Sequence, residues 1–402
     1  MGPCIWILWL RLQLRARLLT NRNYQKQSLI KTIIIAAVSA RPFAKAAAAA
    51  GYNVIALDAF ADADTLEASS RALRVGYADG RFQERELVET LQALDLSDVV
   101  GLVYGSGFET TPELLDTVNE YVPVIGNTSQ VLRNLKRPRQ FFMLLDVLKI
   151  PHPEVSFKPL ERATGWLYKQ GGGSGGTHIR KALPLSSISP ARGHYFQREV
   201  KGTSVSLLFA ANGKQARAIG FNEQWLSPTL TMPYRYGGAV SHAVLPRTVE
   251  QQLMQIAQQI TNAVGLRGLN SLDAVIEDEQ VYVLEVNPRL SATFDLYQNH
   301  VSHTSGADLF TLHLQTCQGH DASWPHLAHV AKAHHVAYAP YPLHLPVDMT
   351  WPAWVADIPA GESYIAANQP VCTILAEADT AEDARKLALA RDVALRDIIQ
   401  PY

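Results

Sequence analysis

The sequence predicts an open parallel α/β sheet followed by an α+β region, and three observations carry that expectation. Apolar strands alternate with helical stretches from Ile30 to about residue 128, which is the pattern of a parallel sheet with helical crossovers. From Trp166 onward, strands follow one another with few helices between them, as antiparallel pairing requires. The chain has 402 residues, more than one core usually serves at roughly 150 residues per domain.

Residues 32–36 (Thr-Ile-Ile-Ile-Ala) read as a β-branched strand, and the alanine-rich stretch Arg41–Ala50 as a helix stopped by Gly51. With the strand 53–57 they predict a right-handed βαβ unit. The pattern continues through a helix at Glu84–Leu94, a strand at Val99–Tyr104, a helix at Pro112–Tyr121 and a short strand at Val122–Ile125. No G-x-G-x-x-G follows the first strand, where the turn is Ala-Val-Ser-Ala-Arg, so a dinucleotide site there lacks its main support. Gly105-Ser-Gly-Phe-Glu109 follows a strand at its carboxyl end and reads equally as a tight strand-to-helix turn or as a substrate loop.

Asn127–Lys136 reads as a polar helix, and Pro138, Pro151 and Pro153 then punctuate the chain. Residues 30–128 are therefore expected to form the first domain, 129–325 the second, and 326–402 a small closing subdomain. The second holds a helix at Val249–Val264 and two closing strands. The last holds a Pro-rich segment (Pro340–Pro352), a strand at Val371–Ala376 and a charged helix at Ala381–Ile398.

Hydrophobic residues make up 47% and charged residues 18%, a soluble globular balance that excludes disorder and collagen-like architecture. The formal charge of -1 supplies no basic field for nucleic acid or an anionic membrane. Cys4, Cys317 and Cys372 stand at unrelated spacings and form neither a disulfide framework nor a zinc set, which fits a reducing cytoplasm. Every charged residue among the first 31 is basic, and the apolar run Cys4–Leu10 is far below the roughly 18 residues that cross a bilayer. Residues 1–29 are expected to lie outside the fold, as the product of a translation start set too early, a loosely docked tail, or a basic targeting segment.

Three segments carry chemistry. Lys169-Gln-Gly-Gly-Gly-Ser-Gly-Gly-Thr177 follows the apolar strand Trp166–Tyr168. Its glycines let backbone N–H groups converge on anionic oxygens, and Lys169 reaches the same phosphates. It is not a Walker A motif, because no G-K-[ST] ends it; the bland alternative is a flexible linker.

The second segment is the strand pair Leu272–Ile276 and Val281–Asn287. Glu285 and Asn287, two residues apart on a strand, share a face. A three-residue loop at Asp278-Glu-Gln280 pairs Glu277 with Val281 and sets Asp273 opposite Glu285. A two-residue loop turns Asp273 to the other face, so the site predicts the three-residue hairpin. Two acids and an amide oxygen suit Mg²⁺, with Mn²⁺ as a substitute, and argue against zinc. The alternative is a structural ion pair between the buried acid and Arg289. The third segment, Tyr195–Ser204, reads alone as a strand ending in a turn.

Together these segments resemble the ATP-grasp superfamily over roughly residues 30–320, most specifically at Leu284-Glu-Val-Asn-Pro-Arg289 after Asp273. The resemblance implies adenine held between two α+β subdomains, with Lys136 and Lys169 as phosphate lysines and Gly172, Gly173, Ser174, Gly175 and Gly176 as the closing loop. It implies Gln197, Glu199 and Val200 as the adenine hinge, with Ser204 standing where the family often has a ribose-binding acid. Asp273, Glu285 and Asn287 are then metal ligands and Arg289 a catalytic stabiliser. The implied activity is ATP- and Mg²⁺-dependent ligation of a small-molecule carboxylic acid to an amine through an acyl phosphate. Relatives are often dimers. The alternatives are phosphoryl transfer to another acceptor, as in a carboxylase or kinase, and a non-catalytic nucleotide-binding scaffold.

More narrowly, Gly220–Trp225, Arg235–Ala239 and Glu285–Leu296 resemble the ATP-grasp branch that contains tyramine-glutamate ligase. Relatives of that branch occur in methylotrophs beside genes for methylofuran or tetrahydromethanopterin. Phe221, Trp225 and Tyr236 read as an aromatic substrate pocket or as ordinary core. Histidines crowd residues 300–335, with His300-x-x-His303 and His326-x-x-His329 as weak metal pairs.

Overall fold

The computed structural model describes residues 30–183, 190–191, 193–298, 308–322, 324 and 330–400. Residues 1–29 and the pairs His300/His303 and His326/His329 lie outside the described residues. Among the described residues no helix is long and apolar enough to cross a membrane.

The first sheet has five parallel strands in the spatial order Arg71–Arg74, Asn53–Asp58, Thr32–Ala37, Val99–Tyr104 and Val124–Ile125. Thr32–Ala37 is buried along its whole length, which is why it reads as a continuous apolar run rather than an alternating one. Its two neighbours continue the sheet in opposite directions, so a crevice opens at the carboxyl ends of Thr32–Ala37 and Val99–Tyr104, where open α/β sheets take ligands. The helix Arg41–Ala49 follows that crevice and is ended by Gly51 at φ +89, a conformation without steric cost only for glycine.

Several elements escape the sequence reading. Ala63–Ala68 and Arg71–Arg74 have six and four residues, too few to show a period. Pro138 begins the helix Pro138–Leu148, since proline fits the first turn, whose N–H groups have no intrahelical partner. The preceding helix Ser129–Lys136 is capped by Thr128, whose hydroxyl accepts from the Val131 N–H.

Four antiparallel strands (Ile179–Lys181, Trp166–Gln170, His194–Arg198 and Val155–Ser156) make a second sheet. The third has eight strands in the order Gln280–Asn287, Arg267–Glu277, Thr203–Asn212, Ala216–Leu226, Tyr236–Ser241, Ala331–Tyr338, Pro370–Ala378 and Val355–Ala356. Helix Arg247–Val264 buries Val249, Leu253, Ile256 and Ile260 in one cluster with Leu207, Leu272 and Val283 of this sheet, a spacing that fits one helical face. Within the span expected to close the molecule, Ala331–Tyr338, Pro370–Ala378 and Val355–Ala356 pair into this sheet, whereas Leu343–Leu345 and Ser363–Ile365 form a two-stranded sheet of their own. The helix Ala381–Ile399 packs Ala384 and Ala388 against Ala331, Ala333 and Ala376.

The hairpin that ends the sheet corrects the expected turn. It is a two-residue turn in which Asp278 (φ 48) and Glu279 (φ 61) are both left-handed, and Glu277 pairs with Gln280, as a type I′ turn requires. That register holds to Ala274 opposite Val283 and then shifts, so that Asp273 faces Glu285 and Ser271 faces Asn287. Leu284 is the extra residue of a β-bulge. The turn is the one expected to misplace Asp273, and the bulge brings it back.

Candidate active site

Two cavities meet between the sheets. The first, about 340 Å³, is lined by Lys136, Lys169, Gly172, Gly173, Ser174, Gly175 and Gly176, and by Asp273, Leu284, Glu285, Asn287 and Arg289, with Phe142 and Tyr195 on an apolar side. The phosphate-loop, lysine, arginine and metal-ligand candidates therefore converge on one space. Because of the bulge, Leu284 and Glu285 both face it, although they are adjacent on a strand.

The glycine loop joins Trp166–Gln170 to Ile179–Lys181 and is pinned at both shoulders. A Cβ on Gly172 (φ +74) would lie 3.0 Å from the Glu109 carbonyl oxygen, and one on Gly176 (φ +69) 1.9 Å from that of Tyr234. The Tyr236 N–H donates to the Gly175 carbonyl at 3.0 Å. Only glycine permits this seating.

Lys136 leaves the end of its helix and donates to Glu285 Oε2 (3.0 Å) and Asn287 Oδ1 (2.6 Å). Asn287 Nδ2 donates in turn to Asp273 Oδ2 at 3.0 Å. Burial, and then the facing Glu285 carboxylate, push the Asp273 carboxyl up. Enclosure alone would raise Glu285 as well, but Lys136 and Lys169 hold it below the usual carboxylate range. Two facing carboxylates with unequal proton affinities, joined by an amide oxygen, form a hard-oxygen donor set that fits Mg²⁺. Lys169 is buried and donates to Gln197 Oε1 at 2.9 Å. Burial, and then repulsion from Lys136, lower its pKa against the attraction of Glu285.

Arg289 is held by an acid that sequence reasoning did not assign to the site. Its Nε donates to Glu109 Oε1 at 2.7 Å and its Nη2 to Asn287 Oδ1 at 3.3 Å. Glu109 also accepts from the N–H groups of Gly107 and Phe108. Burial would raise Glu109, but Arg289 and Lys136 keep it ionised. The Gly105–Glu109 segment thus works as an arginine brace. The alternative pair of Glu285 with Arg289 does not form, since Glu285 takes Lys136.

The remaining candidates stand apart from the lining of this cavity. Gln197 is occupied by Lys169 and leaves its buried Nε2 without a partner. Glu199 accepts from Lys181 and from the Tyr234 hydroxyl, both at 2.6 Å, and Val200 lies beside it. The Ser204 hydroxyl donates to Gln224, whose Nε2 donates to Asp273, so it acts behind the carboxylate. Of the aromatic trio, Tyr236 lines the cavity. Phe221 packs in the core, and Trp225 Nε1 donates to His335.

The second cavity, about 320 Å³, shares Ser106, Tyr236, Arg289 and Ala292 with the first and opens at the crevice of the parallel sheet through Val38 and Ser39. Arg41 dominates its wall. The guanidinium donates to Asp295 Oδ2 at 2.7 Å and to Asp357 Oδ1 at 2.8 Å.

A glycine loop, two lysines and a carboxylate pair around a nucleotide-sized cavity, between two α+β sheets behind an open α/β domain, define an ATP-grasp fold. Residues 139–293 match the family model described as an ATP-grasp domain, so that segment of the chain is an ATP-grasp domain. It is 25% identical over 253 residues to the carbamoyl phosphate synthase arginine-specific large chain of Geobacillus stearothermophilus, covering 57% of this chain and 23% of that protein. The chain thus spans less than a quarter of the length of that curated relative. Among solved structures, biotin carboxylase from Campylobacter jejuni superposes with a TM-score of 0.67 at 14% identity, covering 90% of this chain and 91% of that one. L-amino acid ligase from Bacillus licheniformis gives 0.65 at 13%, covering 90% and 97%. At such identities the likeness shows the fold.

Proposed function

We propose that the protein is an ATP-dependent carboxylate-amine ligase acting through an acyl phosphate. The observation that carries this reading is the convergence of Lys136, Lys169, Arg289, the glycine loop and the Asp273–Glu285 pair on one cavity. The apolar side at Phe142, Tyr195 and Leu284 takes the nucleobase. Asp273, Glu285 and Asn287 would hold Mg²⁺, which when bound offsets phosphate charge. Lys136, which donates to Glu285 and Asn287, would bind phosphate oxygens of the nucleotide.

Lys169 and the loop amides steady the γ-phosphoryl as a substrate carboxylate oxygen attacks it and ADP leaves. Arg289, braced by Glu109, faces the developing oxyanion. The amine nitrogen then attacks the acyl carbon, the C–O bond to phosphate breaks, and inorganic phosphate departs with the nitrogen's proton. The seated glycine loop excludes water that would hydrolyse the intermediate.

The test is ADP release in a matrix of acids and amines, beginning with glutamate and aromatic amines. Release that needs both substrates supports the reading; release that needs an acceptor without an amine replaces it with a carboxylase or kinase. The resemblance of Gly220–Trp225 and Glu285–Leu296 to the tyramine-glutamate ligase branch extends the proposal to methylofuran or tetrahydromethanopterin assembly in the cytoplasm. A homodimer is the proposed assembly, checked by sedimentation.

A further inference from the structure

Asp62, Asp295 and Asp357 line the second cavity with Arg41, Asp58 and Asp64 lie near Asp62, and four of these five carboxylates are satisfied within the fold. Asp58 accepts from the N–H groups of Ala40, Phe60 and Ala61. Asp64 accepts from those of Asp357 and Ile358. Asp295 and Asp357 share the Arg41 guanidinium, and Asp357 also accepts from the Ser39 hydroxyl.

Asp62 is different. It is 6% exposed, lines the cavity and makes no side-chain hydrogen bond or ion pair among the described residues. It stands at the N-cap of Ala63–Ala68, where an aspartate usually accepts from the helix, yet its carboxylate forgoes that bond. A buried carboxylate with no donor is costly unless something arrives to pair with it. Arg41, committed to Asp295 and Asp357, offsets this cost only weakly and from a distance. Burial, and then repulsion from Asp357, Asp58 and Asp64, push the Asp62 carboxyl up to about 8, which marks a site short of positive charge.

The surroundings narrow the missing partner. An anion is excluded by the carboxylates. Among the described residues no group of three or more His, Cys, Asp or Glu side chains is arranged to hold a metal ion. Phe43, Phe60, Leu290 and Tyr338 give the same cavity an apolar lining. The cavity joins the first at Arg289, so a molecule seated in it reaches the proposed site of acyl transfer.

We propose that this cavity binds the amine substrate as its ammonium ion, anchored by Asp62, with an apolar alkyl or aryl body lying against Phe43, Phe60 and Tyr338. The assignment rests on the ligase reading for the fate of the amine, but ammonium binding can be measured without it. The probes are 2-phenylethylammonium, butylammonium and the uncharged 2-phenylethanol, titrated calorimetrically into the full chain without nucleotide. Saturable binding of at least one ammonium is expected. The phenylethyl ammonium should bind about tenfold tighter than its alcohol, and D62N should lose about that factor while ATP affinity is unchanged. Equal binding of ammonium and alcohol, wild-type binding by D62N, or no saturable binding by either ammonium overturns the proposal. The comparison of the two phenylethyl probes uses the wild-type protein and so does not depend on how D62N folds. If ammonium binding needs Asp62 but no acid- and amine-dependent ADP release occurs, the subsite stands and the ligase reading falls. If release occurs and D62N leaves the amine KM unchanged, the reverse holds.

Discussion

The two cavities share a wall and have opposite electrical character. In the first, Lys136, Lys169 and Arg289 gather around a space fit for phosphate, and those cations hold Glu285 and Glu109 below the usual carboxylate range. In the second, Asp295 and Asp357 share Arg41, and Asp62 is left without a partner among the described residues. A single chain thus keeps a lysine-lined and an aspartate-lined chamber side by side, with Arg289 and Tyr236 in both linings. Enclosed charges act strongly because water does not screen them, so each chamber selects the sign of its occupant.

That contrast can be broken most severely in the first chamber. Lys169→Ala or Glu285→Ala should lower ADP release by about three orders of magnitude with little change in the unfolding midpoint; full activity of either variant removes the phosphate assignment. Glu109→Gln frees the Arg289 brace. It should cost about tenfold to a hundredfold in kcat while leaving ATP binding near wild type, and Glu109→Asp should rescue part of it.

Gly176→Ala tests the seating of the loop, since the added methyl would collide with the Tyr234 carbonyl. Amide product formed per ADP released should fall several-fold as water reaches the intermediate. A stoichiometry near one would show that the loop does not guard it.

The smallest effect belongs to the second chamber and is read as stability. The Asp62 carboxyl is pushed up to about 8 from an ordinary 3.8. Below pH 4 it is protonated in both folded and unfolded chains and has no effect. Between pH 4 and 8 the unfolded chain ionises first, so the fold loses stability steadily, and above pH 8 the full penalty remains. Asp62→Asn should therefore leave the melting temperature unchanged at pH 4 and raise it by roughly 2–5 °C at pH 8. An equal change at both pH values would show that no such penalty exists.

Much of the first chamber was legible because its parts are local. A glycine run after a strand and a Glu-x-Asn on a strand each announce their chemistry within ten residues. The bulge left a trace that was not used. Val281 and Val283 are two apart, whereas Val286 follows after three, and all three are buried on one face. A step of three in a period of two requires an extra residue between them. Pro138 punctuates the sequence and also suits a helix start.

The second chamber was not legible. Asp62 and Arg41 come from the first domain, whereas Asp295 and Asp357 stand 254 and 316 residues beyond Arg41, and no spacing rule joins them. The expected adenine hinge at Gln197–Val200 met a different obstacle. Its side chains are engaged by Lys169, Lys181 and Tyr234, contacts that strand periodicity does not announce.

The doubled face at Leu284 has a bearing on descent. A tight turn with one surplus residue in the return strand places Asp273 against Glu285 just as a longer turn with none would. Homologues can exchange one arrangement for the other without moving the carboxylates. Gaps between residues 277 and 285 in an alignment then report how the ribbon absorbs its slack, and the chemistry downstream is indifferent to where the gap falls.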